Sequence, residues 1–566
     1  MNALYLYRKN PTVKSIFLKM LIPTILMNFT TALSSFADAV IIGYYLDELS
    51  LSVVTYATPI YMIINTFAAL FAVGGSIAMG IDAGKGDKAA SNKLFSISVE
   101  LLAGVGALLL AAGLLFGKSI TTLLGAGPEV FDLVYEYSMI VMVGAPVFML
   151  NIGLAFFVRN DGRPTLSMVG MFVSIFVDLV LNVVFIGFMN MGVAGAAYST
   201  VLGQLIGALI ISSHFLTKKN TLRFRLCVNK SVWRIVKNGA STALHFVYQF
   251  LAILLLNHFV VSMAGADGMI VYTVVFNLYT VSLAMFEGLS QTIQPMVSVF
   301  FGEQSHLKIK NTLRLAFITI LLICGGVTVA LEVVPQIVPI LFGISEGALL
   351  AQSAFAVRIY ATSMIIMTVN VVIGYYLQSI ENNSMAAVLV SLRCCILFLG
   401  SAFVLGKLFG INGVWGAYTA AEVLTFVIFI VMTWAKRIKL KKTGIDADAF
   451  LLDRNVEKQT KTYVFSCMDD DFSEFLPYVV AKISESKTNK QDASTDAEAY
   501  LSALEFCINR KYGAYIEVEI NEATGKVIIK DNLCHDRIEK QLTEQFGNKE
   551  QTEYSAVLGW NRLCLG

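Results

Sequence analysis

The chain has 566 residues, of which 56% are hydrophobic and only 14% are charged, and its formal net charge is +2. A soluble protein carries about 25% charged residues, so this composition excludes an ordinary soluble globular protein. The small net charge conceals an asymmetry, because residues 1–442 hold 28 Lys and Arg against 18 Asp and Glu, whereas residues 443–566 hold 14 against 22. The sequence therefore predicts a basic membrane body followed by an acidic soluble tail.

Twelve apolar segments in the membrane body are long enough to cross a bilayer, which takes about 20 mostly apolar residues. We interpret the first as a membrane span rather than a signal peptide, because its apolar run is too long for a signal sequence and eleven similar segments follow. The predicted spans are 15–38, 51–80, 92–116, 131–157, 164–188, 192–215, 236–263, 268–300, 311–333, 353–378, 385–407 and 413–434.

The positions of Lys and Arg in the connections predict the orientation. When the connections are assigned alternately to the two sides of the membrane, 25 of these residues fall on one side, and only Lys118, Arg358 and Lys407 fall on the other. Basic connections are retained in the cytoplasm. We therefore expect a multi-pass protein of the plasma membrane with both termini in the cytoplasm.

An internal repeat links the two halves of the membrane body. The segment Gly192–Ala197 recurs as Gly413–Tyr418 at an offset of 221, Asn151 corresponds to Asn370 at 219, and residues 83–86 correspond to 301–304 at 218. A nearly constant offset predicts two six-helix bundles related by an axis along the membrane normal, with substrate sites at their interface. The alternative is that small-residue patterns recur because they permit close helix packing.

These patterns predict an all-α membrane protein with twelve transmembrane helices in two pseudo-symmetric six-helix bundles, plus a small cytoplasmic α/β domain. We divide the chain into an N-terminal lobe at 1–216, a cytoplasmic linker at 217–235, a C-terminal lobe at 236–442 and a soluble tail at 443–566.

Four carboxylates in predicted spans are candidates for a functional role, because a charged side chain at the bilayer centre costs about 2.5–3.5 kcal/mol to insert. They are Asp38, Asp178, Glu287 and Glu422, whereas Glu100 and Glu332 lie near span ends and are expected to be interfacial. Of these, Asp178 shares a helix face with Asn182, four residues later. We predict that Asp38, Asp178 and Asn182 bind the coupling cation. The alternatives are that Asp38 is solvated at the outer end of its span and that Asp178 and Asn182 only form interhelical hydrogen bonds. Glu422 fits a structural and a functional role equally well.

A polar stripe in the eighth span contains Glu287, Gln291 and Gln294, which share one helix face, and Pro295 follows them. Inside a bilayer, a stripe of this length needs water or a polar partner, which favours a cavity lining over plain packing. The residues that we predict to line the substrate cavity are Asn28, Asn151, Asn257, Glu287, Gln291, Gln294 and Asn370.

Motifs for other chemistries are missing from the membrane body. It contains no P-loop sequence, and the eight cysteines and five histidines show no metal-ligand spacing. We therefore expect a transporter rather than an enzyme, driven by an ion gradient, with Na+ or H+ as coupling ion and no metal or other cofactor.

Several motifs of the membrane body resemble those of multidrug and toxic compound extrusion (MATE) transporters, over about residues 10–437. They include Pro23–Asp38, Arg159–Pro164, Gln291–Pro295, Tyr375–Ile380 and Gly410–Trp415. The resemblance implies export of small cationic, aromatic compounds in exchange for Na+ or H+, with Asp38 as the coupling aspartate of the first helix.

The fifth span departs from the closest branch of that family. Many members of that branch have Asn followed by Leu-Asp-Pro there, whereas this chain has Asp178-Leu-Val-Leu-Asn182. The carboxylate has moved by one helical turn and the proline is absent. The departure leaves open which residue binds the ion and which ion it is.

Two other functions remain possible readings of the sequence. A flippase for lipid-linked sugars would need a cationic cavity, but Arg358, Arg393 and Lys407 all fall near predicted span ends. A receptor would signal through the tail.

We expect the partners of this protein to be small organic cations and the lipid bilayer, and not nucleic acid. We also expect the protein to be a monomer.

The tail changes to an α/β pattern, with a predicted helix at 496–511 and a hairpin of strands 514–520 and 526–530. Glu505 and Asn509, with Asp531 further on, resemble motifs of the histidine-kinase and anti-sigma type (GHKL) ATPases. In that family the Asn would hold Mg²⁺ and the Asp would bind adenine. The glycines of the nucleotide lid are lost here, so the tail is expected either to bind nucleotide or to be a degenerate domain that docks a cytoplasmic regulator.

Overall fold

The computed structural model describes a helical membrane body and a small tail domain that contacts one side of it, called the tail side below. The membrane body is divided into an N-lobe and a C-lobe, as the sequence predicts. The described residues are 11–46, 48–217, 220–225, 231–344, 347–466, 472–485, 491–508, 515–522, 526–533, 552–558 and 560–565.

Within these residues, eleven helices are long and apolar enough to cross a membrane, and a bent pair of helices makes the twelfth span. The predicted fold class is confirmed. The helices are α1 Pro11–Tyr45, α2 Glu48–Lys85, α3 Lys88–Leu123, α4 Phe131–Asn160, α5 Pro164–Phe188, α6 Gly192–Leu216, α7 Val232–Gly265, α8 Gly268–Gly302, α9 His306–Val333, α10 Gly347–Ala361 with Met364–Ser379, α11 Asn383–Phe409 and α12 Ile411–Lys442.

The tenth predicted span is broken rather than straight. Its two helices are bent by 43°. Ser363, at the break, donates its amide N–H and its hydroxyl to the carbonyl oxygen of Tyr360, at 2.9 and 2.6 Å. This tight turn replaces the regular helical ladder. The break was not predicted because the segment remains apolar throughout.

The repeat is visible where the two lobes touch. A Cβ atom added to Gly84 at the end of α2 would lie 2.2 Å from the carbonyl oxygen of Val299, and one added to Gly302 at the end of α8 would lie 2.0 Å from that of Ile81. The two contacts are equivalent, because residues 84 and 302, like 81 and 299, are 218 positions apart. Gly84 and Gly302 therefore let the two backbones meet near the pseudo-symmetry axis.

The lobes pack tightly only on the tail side. Every residue of 71–82 in α2 and of 288–300 in α8 is buried, which is the pattern of a helix enclosed on all faces. The opposite halves of these helices contain partly exposed polar residues. The membrane body is therefore closed toward the tail and leaves a cavity between the lobes in its other half.

The tail domain is a five-stranded antiparallel sheet in the order β1-β2-β3-β5-β4, with two helices packed on one face. Val518 of β2 pairs with Ile529 of β3, so the predicted hairpin is confirmed, as is the predicted helix up to Ile508. The elements are α13 Arg454–Gln459, β1 Thr460–Ser466, α14 Phe472–Glu485, α15 Gln491–Ile508, β2 Tyr515–Asn521, β3 Val527–Asp531, β4 Thr552–Val557 and β5 Trp560–Leu565.

Alternation along β2 gives this sheet two different faces. Ile516, Val518 and Ile520 lie in the apolar core beneath the helices, whereas Glu517 and Glu519 point the other way, as expected from the two-residue period of a strand. Both glutamates are nevertheless buried. They are covered by the membrane body.

Replacing Gly84 with Ala is expected to destabilise the protein, because the new methyl group overlaps the carbonyl oxygen of Val299. Overpacking of this kind costs about 1–3 kcal/mol. The measurement is the thermal unfolding midpoint of the purified protein. The matched control is Gly104→Ala, because a Cβ at Gly104 has no atom within 4 Å. Equal midpoints for the two variants would contradict the close contact.

Candidate functional site

The central cavity lies between the two lobes, in the half of the membrane body away from the tail. It encloses about 1490 Å³, including space open to solvent. Both lobes contribute polar and aromatic side chains to its wall. The residues used below are Asn28, Tyr61, Asn65, His245, Gln249, Glu287, Gln291 and Tyr375.

Three of the predicted cavity residues line this space, namely Asn28, Glu287 and Gln291. The side-chain amides of Asn28 in α1 and Gln291 in α8 exchange hydrogen bonds of 3.3 and 3.2 Å across the lobe interface. The predicted polar stripe of α8 is therefore divided, because its first two members face the cavity and Gln294 lies deeper.

The cavity ends toward the tail in a layer of interlobe hydrogen bonds. Arg159 of α4, only 1% exposed, donates to Gln291 at 2.9 Å, and its guanidinium lies 4.4 Å from the ring centre of Phe156. Gln294 donates to the hydroxyl of Ser76 at 2.7 Å. These contacts tie α2 and α4 of the N-lobe to α8 of the C-lobe and seal the cavity.

Asn151 and Asn370 hold each lobe together from within. The Asn151 amide donates to Gln204 at 2.6 Å, and the Asn370 amide donates to Glu422 at 2.7 Å. Gln204 and Glu422 are themselves 218 positions apart, so the two hydrogen bonds are repeat-related. Neither asparagine lines the central cavity. The side chain of Asn257, also predicted to line it, lies outside the described residues.

Sequence reasoning missed the histidine of this cavity. His245 of α7 lies 3.9 Å from the Glu287 carboxylate, and its Nδ1 lies 3.3 Å from the sulfur of Cys394. The sequence did contain a pattern that indicates this histidine, since Thr242, His245 and Gln249 are polar residues at helical spacing in an otherwise apolar helix. All three side chains line the cavity.

The three predicted ion-binding residues meet inside the N-lobe. The Asn182 amide nitrogen donates to Asp38 at 3.0 Å and to Asp178 at 3.3 Å, so α1 and α5 present two carboxylates to one amide group. The amide oxygen of Asn182 accepts a hydrogen bond of 2.7 Å from Ser199 in α6. Asp178 and Asn182 are buried, and Asp38 is partly exposed.

This cluster has the ligands that a small hard cation prefers. Carboxylate, amide and hydroxyl oxygens suit such ions, and two neighbouring carboxylates repel each other unless a proton or a cation is held between them. Tyr61 joins the cluster to the cavity, because it lines the cavity and its hydroxyl lies 3.1 Å from that of Tyr137 in α4. Both tyrosines are within electrostatic range of the two carboxylates.

The C-lobe contains an internal ion pair instead. Arg393 contacts the Glu422 carboxylate through Nε and Nη2, both at 3.0 Å, and both side chains are buried. The expectation that Arg393 falls near a span end is wrong, because it lies well inside Asn383–Phe409. Charge pairing with Glu422 is what permits this depth.

The predicted nucleotide residues of the tail are only partly described. Asn509 and the side chain of Glu505 lie outside the described part of the chain. Asp531 is fully buried, and its carboxylate accepts hydrogen bonds from Tyr500 at 2.5 Å and from Asn561 at 2.9 Å. An adenine amine would have to displace one of these partners.

Comparison with known proteins identifies the membrane body. The MatE family profile matches residues 23–184 and 241–404, more than half of the chain and equivalent parts of the two lobes. The chain belongs to the MatE family. Members of this family are membrane transporters, so the chain is a multi-pass membrane transporter rather than an enzyme. The profile does not extend into the tail, and no comparison supports its GHKL resemblance.

Individual MatE relatives and structures agree with this assignment. The chain is 24% identical to the multidrug export protein MepA of Staphylococcus haemolyticus, over 75% of this chain and 94% of that protein. It is 22% identical to MepA of Staphylococcus saprophyticus, over 77% and 97%. A multidrug resistance MATE family transporter in an outward-facing conformation shares the fold at a TM-score of 0.71, with 21% identity over 76% of this chain and 97% of that one.

A further structure of the same fold, a MOP superfamily transporter, shows that function cannot be assigned from fold alone. It is a transporter from Pyrococcus furiosus with a TM-score of 0.70, 21% identity and coverage of 76% and 97%, described as having a binding pocket of reverse polarity that suggests a different function. The function of this chain has to be argued from its own cavity.

Replacing Glu422 with Gln is expected to destabilise the protein by about 3–5 kcal/mol, because the buried Arg393 loses its counter-ion. Asn370 keeps an oxygen to which it can donate. The double variant Arg393→Met/Glu422→Gln is expected to recover most of the loss in thermal unfolding. The control, Glu332→Gln, removes the partly exposed ion pair with Arg358 and is expected to cost less than about 1 kcal/mol. A Glu422→Gln variant as stable as this control would refute the assignment.

Proposed function

We propose that this protein is a secondary active antiporter that exports small cationic amphipathic molecules in exchange for Na+ or H+. The observation that supports it most is the sharing of one amide group by Asp38 and Asp178 inside the N-lobe. The family relatives named as multidrug export proteins support the direction and the broad substrate range.

The coupling ion would occupy the cluster of Asp38, Asp178, Asn182 and Ser199. Binding of one cation or one proton relieves the repulsion between the two carboxylates, and its loss restores the repulsion. Because the cluster lies in the span region of α1, α5 and α6, its occupancy can change how these helices pack. The ion would thereby bias the lobes between two arrangements.

The cavity has the polarity expected for a cationic substrate. Among the described residues of its wall, the ionisable ones are Glu287, His245, Tyr61 and Tyr375, and none is Lys or Arg. A carboxylate beside aromatic rings attracts an organic cation through charge and through the ring faces. A flippase would need cationic groups along this wall for a pyrophosphate, whereas the nearby guanidinium of Arg159 lies in the cavity floor and donates to Gln291.

The tail side would face the cytoplasm, because the basic connections lie on that side. The cavity, closed toward the tail, would then be accessible from outside the cell, as in an outward-facing transporter. We further propose a monomer in the plasma membrane, since each chain contains both lobes and its own cavity.

Asp38→Asn and Asp178→Asn are each expected to abolish gradient-driven uptake of a fluorescent organic cation into proteoliposomes. One charge moving through 100 mV supplies about 2.3 kcal/mol, enough for roughly fifty-fold accumulation. The variants should lose this accumulation under both a Na+ and an H+ gradient. Asp132→Asn, at an exposed position in the first turn of α4, is the control that should transport normally. Normal accumulation by both cluster variants would disprove the ion site.

Glu287→Gln is expected to weaken binding of a monovalent cationic dye, because the carboxylate is the acidic group of the cavity wall. Losing a charge-assisted contact costs about 1.5–3 kcal/mol, or roughly ten-fold to a hundred-fold in the dissociation constant. Fluorescence titration without any gradient measures the effect. A neutral aromatic dye serves as the control ligand, and an equal loss for both dyes would count against a charge-based role.

A further inference from the structure

The tail domain reaches both lobes, and it does so where they pack together. Its contacts with the C-lobe centre on Glu303, which follows α8, and on Lys308 in the first turn of α9. Its hydrogen bonds with the N-lobe are made to the last carbonyl groups of α2, and β2 also packs against α1. The fold of the tail sheet places the charged face of β2, β3 and β5 against these helix ends.

The C-lobe contact is a buried, balanced group of six charges. Glu303 is 2.7 Å from Lys530, and Lys308 is 2.7 Å from Glu517 and 2.8 Å from Glu519. Arg562 is the third cation, with its Nε 3.6 Å from Glu303. All six side chains are buried. Three carboxylates and three cations compensate one another, so removal of any one leaves an unpaired buried charge.

The Glu303 carboxylate of this cluster remains ionised at physiological pH. Burial raises the pKa of the Glu303 carboxyl, but Lys530, Lys308 and Arg562 lower it more, and the net value is about 2. At pH values above the usual titration range of a glutamate, the ionised Glu303 carboxylate therefore stabilises the docked arrangement of the tail. This stabilisation is lost as the pH falls from that range to about 2. Protonation of Glu303 therefore does not release the contact with the C-lobe near neutral pH.

The connecting segment strengthens the same attachment. Lys310 of α9 lies 2.9 Å from Asp448, and the hydroxyl of Tyr376 in α10 donates to the carbonyl oxygen of Phe450 at 2.6 Å. Leu452, Leu558 and Trp560 belong to a buried apolar cluster made mostly by the C-lobe helices, to which α1 of the N-lobe also contributes. The tail is thus fixed to the C-lobe by charges, hydrogen bonds and apolar packing.

The N-lobe contact is smaller and of a different kind. Arg562 donates to the carbonyl oxygens of Ala83 and Gly84, the latter at 2.6 Å, and Lys526 donates to that of Lys85 at 3.2 Å. The last carbonyl groups of a helix have no intrahelical partner and carry partial negative charge. Two cations of the tail therefore cap the end of α2.

We propose that the tail domain is a clasp that stays on the C-lobe and holds α2 of the N-lobe through Arg562 and Lys526, so that the tail side opens only when these two side chains release the α2 carbonyls. Arg562 and Lys526 contact the end of α2 next to the close contact between Gly84 and Gly302. The tail therefore bridges the lobe interface that has to separate when the tail side opens. Arg562 takes part in both contacts, but the C-lobe contact adds five other buried charges and apolar packing, whereas the contact with the end of α2 adds only Lys526. We therefore expect the α2 contact to break first.

Hydrogen–deuterium exchange of the full-length protein, without substrate or gradient, tests the clasp independently of the transport mechanism. Arg562→Met is expected to accelerate exchange in 74–85 and 288–302 by roughly ten-fold or more, the effect of losing one buried charge-assisted hydrogen bond. Lys526→Met is expected to accelerate exchange in the same segments by a smaller factor, because its contact with α2 is exposed. In Lys526→Met, residues 303–310 should keep wild-type protection, because Lys526 is not one of the six charges that hold the tail on the C-lobe. Lys461→Met, which removes an exposed ion pair with Glu522 on β1, is the matched control and should change neither segment.

Two results would overturn the proposal. The first is wild-type exchange in 74–85 and 288–302 for both variants. The second is faster exchange in 303–310 as well, which would mean that the tail leaves both lobes together. Since Arg562 also contacts Glu303, exchange in β2 reports whether the tail of that variant stays folded. If β2 is exposed in Arg562→Met, Lys526→Met alone decides the outcome.

Discussion

The close backbone contact between α2 and α8 is the constraint on which the rest of the structure depends. Gly84 and Gly302 leave no room for a side chain, so the two lobes can meet along the tail-side halves of these helices. Once those halves are fully buried, the polar residues of the opposite halves are left facing each other across open space. That single contact places the cavity and its polar floor at Arg159. It also brings together the ends of α2 and α8, against which the tail domain packs.

Much of this architecture could be predicted from the sequence, for identifiable reasons. The hydrophobic segments, the basic connections and the repeat offset near 220 residues specify twelve spans in two lobes, because bilayer thickness and charge placement constrain every span in the same way. The cluster of Asp38, Asp178 and Asn182 was also predictable, since the cost of polar groups in hydrocarbon makes each of them conspicuous.

Other features depend on tertiary partners that one sequence does not display. Arg393 looked like an interfacial residue because its counter-ion, Glu422, comes from another helix. Asn151 and Asn370 looked like cavity residues, whereas each finds its hydrogen-bond partner inside its own lobe. The break at Ser363 was hidden in an apolar run, and the charged face of the tail sheet could be recognised as buried only once the membrane body covered it.

The pairs Asn151–Gln204 and Asn370–Glu422 occupy matching places in the two lobes, yet they differ in charge. The N-lobe pair is neutral, and that lobe places the acidic groups of Asp38 and Asp178 in α1 and α5. In the C-lobe, a guanidinium belonging to the protein already satisfies the acid. A duplicated scaffold has thus become electrically unequal: in the C-lobe the acid is neutralised by a cation of the protein itself, whereas in the N-lobe two carboxylates share a single amide group.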